Sequence, residues 1–406
     1  MRAHWYRGGV HRLRAVAVVA GVAGGVAAAT WPACGAAAPG ADAGEVAVST
    51  TEALAAALRA AKPGTTILVA PGRYGSLSAA GVAGAPGAPV RVRAADRADP
   101  PCFTGTVQLQ DPSWVELEDL RVEGAAGNGF NLDDGGTFES PAHHLVLRRL
   151  GSRDCGGAAN ADGIKLSGVQ DFLLEECTVE RWGRKGSAVD MVGCMRGELR
   201  GCTFRDREEG TASSGVQAKG GSSDIVIRRC RFEHAGERAV NLGGSTGMAY
   251  FRPRPQGYEA KNLTVEGCTF IGSNAPVAFV GVDGAVVRSN TFLRPRAWFF
   301  RVLQETAEPG FVPCRGGRFE DNVVVYRRRE LRTPVNVGPG TLPDSFRAAR
   351  NWWFAEDDPA GSVPKLPFPE TAPAGGTDPG LRDQANGDLR LRDDSPARGH
   401  GADALP

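Results

Sequence analysis

Along the second half of the chain an apolar residue is followed three places later by Cys or Asn and, two places beyond that, by a bulky apolar residue. The Cys/Asn column reads Cys177, Cys202, Cys230, Cys268, Asn290, Asn322 and Asn351. The apolar residues before it are Leu174, Leu199, Ile227, Val265, Val287, Phe319 and Ala348, and those after it Val179, Phe204, Phe232, Phe270, Phe292, Val324 and Trp353. Weaker copies surround Leu120 and Leu150. A short alternating unit that returns every 22 to 38 residues cannot bury its apolar face alone and must stack on copies of itself. Each copy is too short for a helix pair or a propeller blade. The pattern therefore predicts an all-β solenoid, a right-handed parallel β-helix of about ten to eleven coils, its column residues stacked inside at the strand spacing of roughly 4.8 Å.

A second strand precedes the column strand in each coil. Its segments align as Phe130-Asn131-Leu132, Ile164-Lys165-Leu166, Val189-Asp190-Met191, Val216-Gln217-Ala218, Val240-Asn241-Leu242, Val277-Ala278-Phe279, Phe300-Arg301-Val302 and Val335-Asn336-Val337. The flanking apolar residues point inward, so the middle ones form an outward row. Two places further along lies a parallel row of Asp133, Ser167, Val192, Lys219 and Gly243. Neighbours in a row are one strand spacing apart, which lets Lys165 pair with Asp190 and sets Lys219 near Gln217 and Asn241.

The ends of the chain read differently. Ser49-Thr50-Thr51-Glu52 is a capping-box signature before the run Leu54 to Leu58, so a short helix is expected to close the N-terminal end. Thr66 to Tyr74 reads as the first coil, and Pro89-Val90-Arg91-Val92-Arg93 opens the second. Residues 44–355 form one β-helix domain in this reading, and the Pro/Gly/Asp-rich stretch 356–406 an irregular tail covering the last coil. Residues 1–43 fit a signal peptide and linker, with Arg2, Arg7, Arg12 and Arg14 before an apolar stretch from Ala15 to Ala29 and cleavage near Ala38 or Ala43. That stretch is too short and too rich in Ala and Gly for a membrane span. Export to the periplasm or exterior is the expectation; Cys34 is a candidate lipid-attachment site, although Trp31 stands where an aliphatic residue is usual.

An oxidising compartment permits disulfides. Column cysteines are expected to stay reduced as small buried hydrophobes. Cys102, Cys155, Cys194 and Cys314 lie off the column, and spacing does not define their pairing. The net charge of +1 argues against nucleic acid or a membrane surface, and with only six lysines among 47 basic residues the chain is Arg-rich. Two of the six lysines fall on the outward face just described. No GxSxG, HExxH or phosphate loop is present, and Asp133-Asp134, adjacent on a strand, point in opposite directions, which disfavours a two-carboxylate hydrolase. Gly399-His400-Gly401 lies in the tail after Ser395-Pro396-Ala397.

The order of a helix, "KPGTTILVAPGRYG", "APVRVRAADRADPPCFTG" and "WVELEDLRVEG" resembles the N-terminal part of pectin-lyase-like β-helix proteins, especially the alginate lyase and chondroitin B lyase family. "GVQAKGGSSDIVIRRCRF" is similar to that family's lysine-bearing segment, with Lys219 at the matching position. The resemblance implies that Lys219 is the general base removing the C5 proton of a uronic acid, assisted by an Arg about one coil later. Asn241 stands near that Arg position and Arg238 three places earlier, so Arg238 is the candidate. The calcium-holding carboxylates of some members would fall at Thr211-Ala212-Ser213-Ser214, which supply none; no metal or other cofactor is expected. The interval from Gly243 to Ala260 is an insertion carrying Tyr250, Phe251, Arg252, Arg254 and Tyr258, suited to stack on sugar rings and hold carboxylates.

The expected catalytic residues are thus Lys219 and Arg238, with Arg252 as a second candidate for the carboxylate clamp. The expected substrate contacts are Lys165, Asp190, Gln217, Asn241, Tyr250, Arg252, Arg254 and Arg301. To act as base Lys219 must be neutral, a state favoured by neighbouring Arg charge or desolvation. The partner would be an anionic polysaccharide met by a monomer. Two other readings stay open, a C5 uronate epimerase using the same groups and a non-catalytic glycan-binding or structural β-helix.

Overall fold

The computed structural model describes residues 44–207 and 213–405; the stretch expected to be an export signal and Cys34 fall outside the described residues. Three long parallel sheets of 13, 12 and 10 strands wind around one core. In a representative coil Val169–Glu175 lies in the first sheet, Thr178–Glu180 in the second and Ser187–Val192 in the third, after which Met195–Arg200 returns to the first. The molecule is a right-handed parallel β-helix.

The bend from first to second sheet explains the column. Immediately before each column residue the backbone is left-handed, with φ of 54° at Glu176, 63° at Gly201, 51° at Arg229 and 62° at Gly267. That kink turns the next side chain inward, where Cys177, Cys202, Cys230, Cys268, Asn290, Asn322 and Asn351 are all buried. The bend leaves a backbone N–H without a ladder partner, and the column residue of the next coil accepts it: Cys230 N donates to Cys268 Sγ at 3.4 Å, Cys268 N to Asn290 Oδ1 at 2.9 Å and Asn290 N to Asn322 Oδ1 at 2.9 Å. Asn322 N donates in turn to Asn351 Oδ1 at 3.1 Å. A small side chain that both accepts and donates is required there, and Cys and Asn meet the requirement. Beside this column Phe204, Phe232, Phe270 and Phe292 stack with ring centroids 5.1, 4.6 and 4.7 Å apart.

All eight described cysteines are free. Cys194 belongs to a second interior position, at the turn from third to first sheet, where its N–H donates to Ser222 Oγ at 3.0 Å. Burial pushes its thiol up to about 12. The many arginines have a structural use, since outward residues of the first sheet form ion pairs from coil to coil: Glu175 meets Arg148 at 2.7 Å and Arg200 at 2.5 Å.

The helix spans Thr51–Ala60 with Thr50 as its cap, Ala53 N donating to Thr50 Oγ1 at 3.1 Å, and it buries Leu54 and Leu58. At the other end Glu370–Thr371 and Ala374–Gly375 extend the first and second sheets. The chain then doubles back as the pair Leu381–Asp383 and Asp388–Leu391. Its Leu381, Leu389 and Leu391 pack on Leu293, Val323 and Val325 of the second sheet, and Gly387 O accepts from Arg231 Nη1 at 2.8 Å. The tail therefore lies along a flank spanning several coils. Among the described residues no helix is long and apolar enough to cross a membrane.

Candidate functional site

The third sheet carries the outward row in the expected register. Asn131, Lys165, Asp190, Gln217, Asn241, Ala278, Arg301 and Asn336 are successive Cα partners. Asp133, Ser167, Val192 and Lys219 form the second row beside them. Over these strands lies an open groove of about 810 Å³, lined among others by Lys165, Asp190, Gln217, Lys219, Arg238 and Asn241.

The floor of the groove is one polar network. Arg238 Nη1 donates to Asn241 Oδ1 at 3.3 Å, Asn241 Nδ2 to Gln217 Oε1 at 2.8 Å and Gln217 Nε2 to Asp190 Oδ1 at 3.2 Å. Asp190 also meets Lys219 Nζ at 3.4 Å and receives Lys165 Nζ. Lys165 is shared with Asp162 at 3.2 Å. Burial opposes the Lys165 charge, but Asp190 and Asp162 overcome it and hold the ammonium above its ordinary value. Burial and the Asp190 charge raise Asp162 above the usual carboxylate range. Burial would raise Asp190 too, yet Lys219 and Lys165 reverse the effect and keep it below that range. Asp162 was missed by sequence reasoning. Its only signal is position: it stands three residues before Lys165, in the Gly-bounded bend that enters a groove strand.

The insertion folds back over the turns between third and first sheets as a wall of the groove. Those turns contain Gly168, Gly193 and Gly220, and the approach is close enough that a Cβ on Gly193 would stand 2.3 Å from Arg252 Cβ. Arg252 Nε reaches the buried Asp134 at 2.7 Å, and its guanidinium lies 4.4 Å from the Phe138 ring centroid. At the root of the wall sits Glu259, fully buried. Its carboxylate accepts from Gly220 N at 2.9 Å, Thr246 N at 2.8 Å, Thr246 Oγ1 at 2.8 Å and Thr306 Oγ1. One side chain thus joins the residue after Lys219, the start of the insertion and the residue after Glu305.

Several expected contacts require correction. Arg252 lines the groove, but its guanidinium is engaged by Asp134 and Phe138 and holds the wall; it is not a free carboxylate clamp. Arg254 is exposed on the insertion and does not line the groove, because Arg252, two residues away, is the one turned to the turns beneath. Arg301 lies outside the groove lining, on Asn336 at 2.9 Å and over the Trp298 ring at 4.6 Å. Burial and the Arg238 charge hold its guanidinium below the ordinary value. In the row the buried Ala278 separates Asn241 from Arg301, and Arg238 pairs with Glu305 at 2.6 Å. Lys219 has the Asp190 carboxylate beside it at 3.4 Å, where an arginine was expected. Tyr250 does line the groove and is 66% exposed, the most open aromatic ring there. Of Thr211-Ala212-Ser213-Ser214, Ser213 and Ser214 line the groove, while Thr211 and Ala212 lie outside the described residues.

A family described as right handed beta helix region matches residues 105–296. No curated protein sequence matches the chain. Among solved structures the chain resembles a PL6 family polysaccharide lyase from Pseudopedobacter saltans, at 13% identity and a TM-score of 0.53, covering 88% of this chain and 99% of that one. It also resembles the A-module of a mannuronan C-5 epimerase from Azotobacter vinelandii, at 14% identity and a TM-score of 0.51, covering 82% and 97%. A rhamnogalacturonan lyase matches at 14% identity and a TM-score of 0.51, covering 75% and 82%. The shared feature is the pectin-lyase-like β-helix, as the opening motifs implied. Function must be argued from the groove.

Proposed function

We propose that the groove binds a uronic-acid-containing polysaccharide and that Lys219 removes the C5 proton of one uronate, leading to β-elimination. The observation carrying this reading is that Lys219, Arg238 and the amides of Gln217 and Asn241 line one open groove, on a fold that also serves polysaccharide lyases and an epimerase. A C5 proton beside a carboxylate is weakly acidic. The site must neutralise that carboxylate, stabilise the charge that develops, and supply a base.

Each part has a candidate. Arg238 faces the uronate carboxylate, and Asn241 and Gln217, chained between Arg238 and Asp190, fix its direction and offer their remaining N–H groups to the enolate-like intermediate. The C5–H electron pair passes into the enolate of the uronate carboxylate as the proton moves to Lys219 Nζ. As the C4–O bond breaks, that pair forms the C4–C5 double bond, and the C4–O pair leaves on the glycosidic oxygen, which takes a proton from the Lys219 ammonium. C5 inversion would use the same first step and return a proton to the opposite face of C5.

One observation favours a non-catalytic glycan-binding face: Arg238 is already engaged by Glu305. In the catalytic reading the substrate carboxylate displaces Glu305. The test is ultraviolet absorbance of unsaturated uronide when the protein is incubated with alginate, chondroitin, dermatan, heparan or pectate. A rise with one polymer that Lys219→Ala abolishes supports elimination. Binding without a rise, and without C5 exchange, moves the protein to the binding class.

A further inference from the structure

The groove continues past Lys165 toward the first coils as a cavity of about 470 Å³, which shares Asn128, Lys165, Ser167 and Arg252 with the main groove. Its chemistry differs from that around Arg238. The floor is an amide and carboxylate cluster in which Gln108 Nε2 donates to Asp133 Oδ2 at 2.6 Å and Asn131 Nδ2 to the same oxygen at 3.4 Å. The other Asp133 oxygen accepts from Gly135 N at 2.8 Å. The two cations bordering the cavity are both committed, Lys165 to Asp162 and Asp190, and Arg252 to Asp134. Among the described residues this end therefore offers a uronate no uncommitted cation and sets the Asp133 carboxylate in its path.

Sugar hydroxyls suit the same surface. Asn131 gives its N–H groups to Gln108 Oε1 and Asp133, Gln108 keeps one N–H beyond the one it gives to Asp133, and Asp133 keeps lone pairs to accept from O–H. The distance also fits, because the Asn131 coil is three strand spacings, about 14 Å, from the coil carrying Lys219, and a chain of pyranoses advances by roughly one strand spacing per sugar, so the third sugar from the reacting uronate lies over the Asn131 coil.

Resting on the proposed function, we infer that the substrate is a mixed chain, bound with a uronate between Lys219 and Arg238 and with an uncharged sugar over the Asn131 coil, beside Asp133. A homopolymer of uronates would place a carboxylate against Asp133. Such like-charge contacts disfavour binding.

The test is calorimetric binding to the full chain carrying Lys219→Ala, so that no turnover intervenes. Two hexasaccharides are compared, one of unsulfated chondroitin, in which uronate alternates with an uncharged amino sugar, and one of polygalacturonate. The mixed hexasaccharide is expected to bind about tenfold more tightly, and Asp133→Asn to narrow that gap by strengthening the homopolymer alone. Equal or tighter homopolymer binding, or an Asp133→Asn effect equal on both ligands, overturns the inference while leaving the groove's function standing. If neither hexasaccharide binds, the inference is overturned, and the proposed function is decided separately by the absorbance assay with the remaining polymers.

Discussion

Glu259 offers the sharpest energetic prediction. Its carboxylate is fully buried with no cation paired to it among the described residues, and it is satisfied by four donors, two of them the backbone N–H groups of Gly220 and Thr246. Glu259→Ala leaves both backbone donors unpaired in a dry site, at about 1–3 kcal/mol each, so the expected loss is roughly 2–6 kcal/mol. Glu259→Gln keeps one oxygen for one donor pair, while its NH₂ turns toward the hydroxyl and N–H of the other. One backbone donor is then lost instead of two, and the cost should be about half that of Ala. The loss falls on the junction of the insertion with the Lys219 strand, so it should appear first as local opening. Amide hydrogen exchange at Gly220 and Thr246, with proteolysis of the 244–258 segment, reads it directly. If both variants protect those amides like the parent, or Gln costs as much as Ala, the assignment of Glu259 as the tie is wrong.

Other consequences follow from the same geometry. Lys165→Gln removes the cation between two buried carboxylates, a change of about 3–5 kcal/mol. Because the Asp162 carboxyl is already raised, the stability that comes with its protonation is present at low pH and lost as pH rises through its raised value. The variant's melting temperature should therefore fall from pH 5 to pH 8 more steeply than the parent's, and parallel curves would refute the pairing. Asn322→Ala leaves Asn290 N–H and Val287 C=O without partners, at roughly 2–6 kcal/mol, whereas Asn322→Cys should cost less than half as much because Cys268 fills the same role two coils earlier; denaturant unfolding of both variants measures the difference. Gly193→Ala would put a methyl 2.4 Å from Arg252 O at a φ of 63°, so the insertion should become protease-sensitive, while Gly284→Ala, at φ 81° with open space around it, should lose only about 1 kcal/mol and leave the insertion protected.

The coil and its outward row were legible because both follow from strict periodicity: a left-handed bend demands a small polar residue, and strand alternation fixes which side chains face out. Lys165 beside Asp190 followed from that register alone. What the sequence hid depends on how loops return to the sheet. Arg252 is 118 positions from Asp134, and only the fold-back of the insertion across Gly168 and Gly193 brings them together. Asp162 and Glu259 lie at strand entries, where no alternation rule states the direction of a side chain. Cys194 was set apart from the column by spacing, yet it is interior at a different corner, because each coil has more than one inward-facing bend.

The most direct test of the central claim is proton NMR in deuterium oxide, following H5 of the uronate in a bound polysaccharide with the parent protein and with Lys219→Ala. Loss of H5, either to an olefinic H4 signal or to deuterium at C5, that vanishes in the variant is the predicted result; an H5 signal unchanged by the parent protein while the chain is bound would contradict the account.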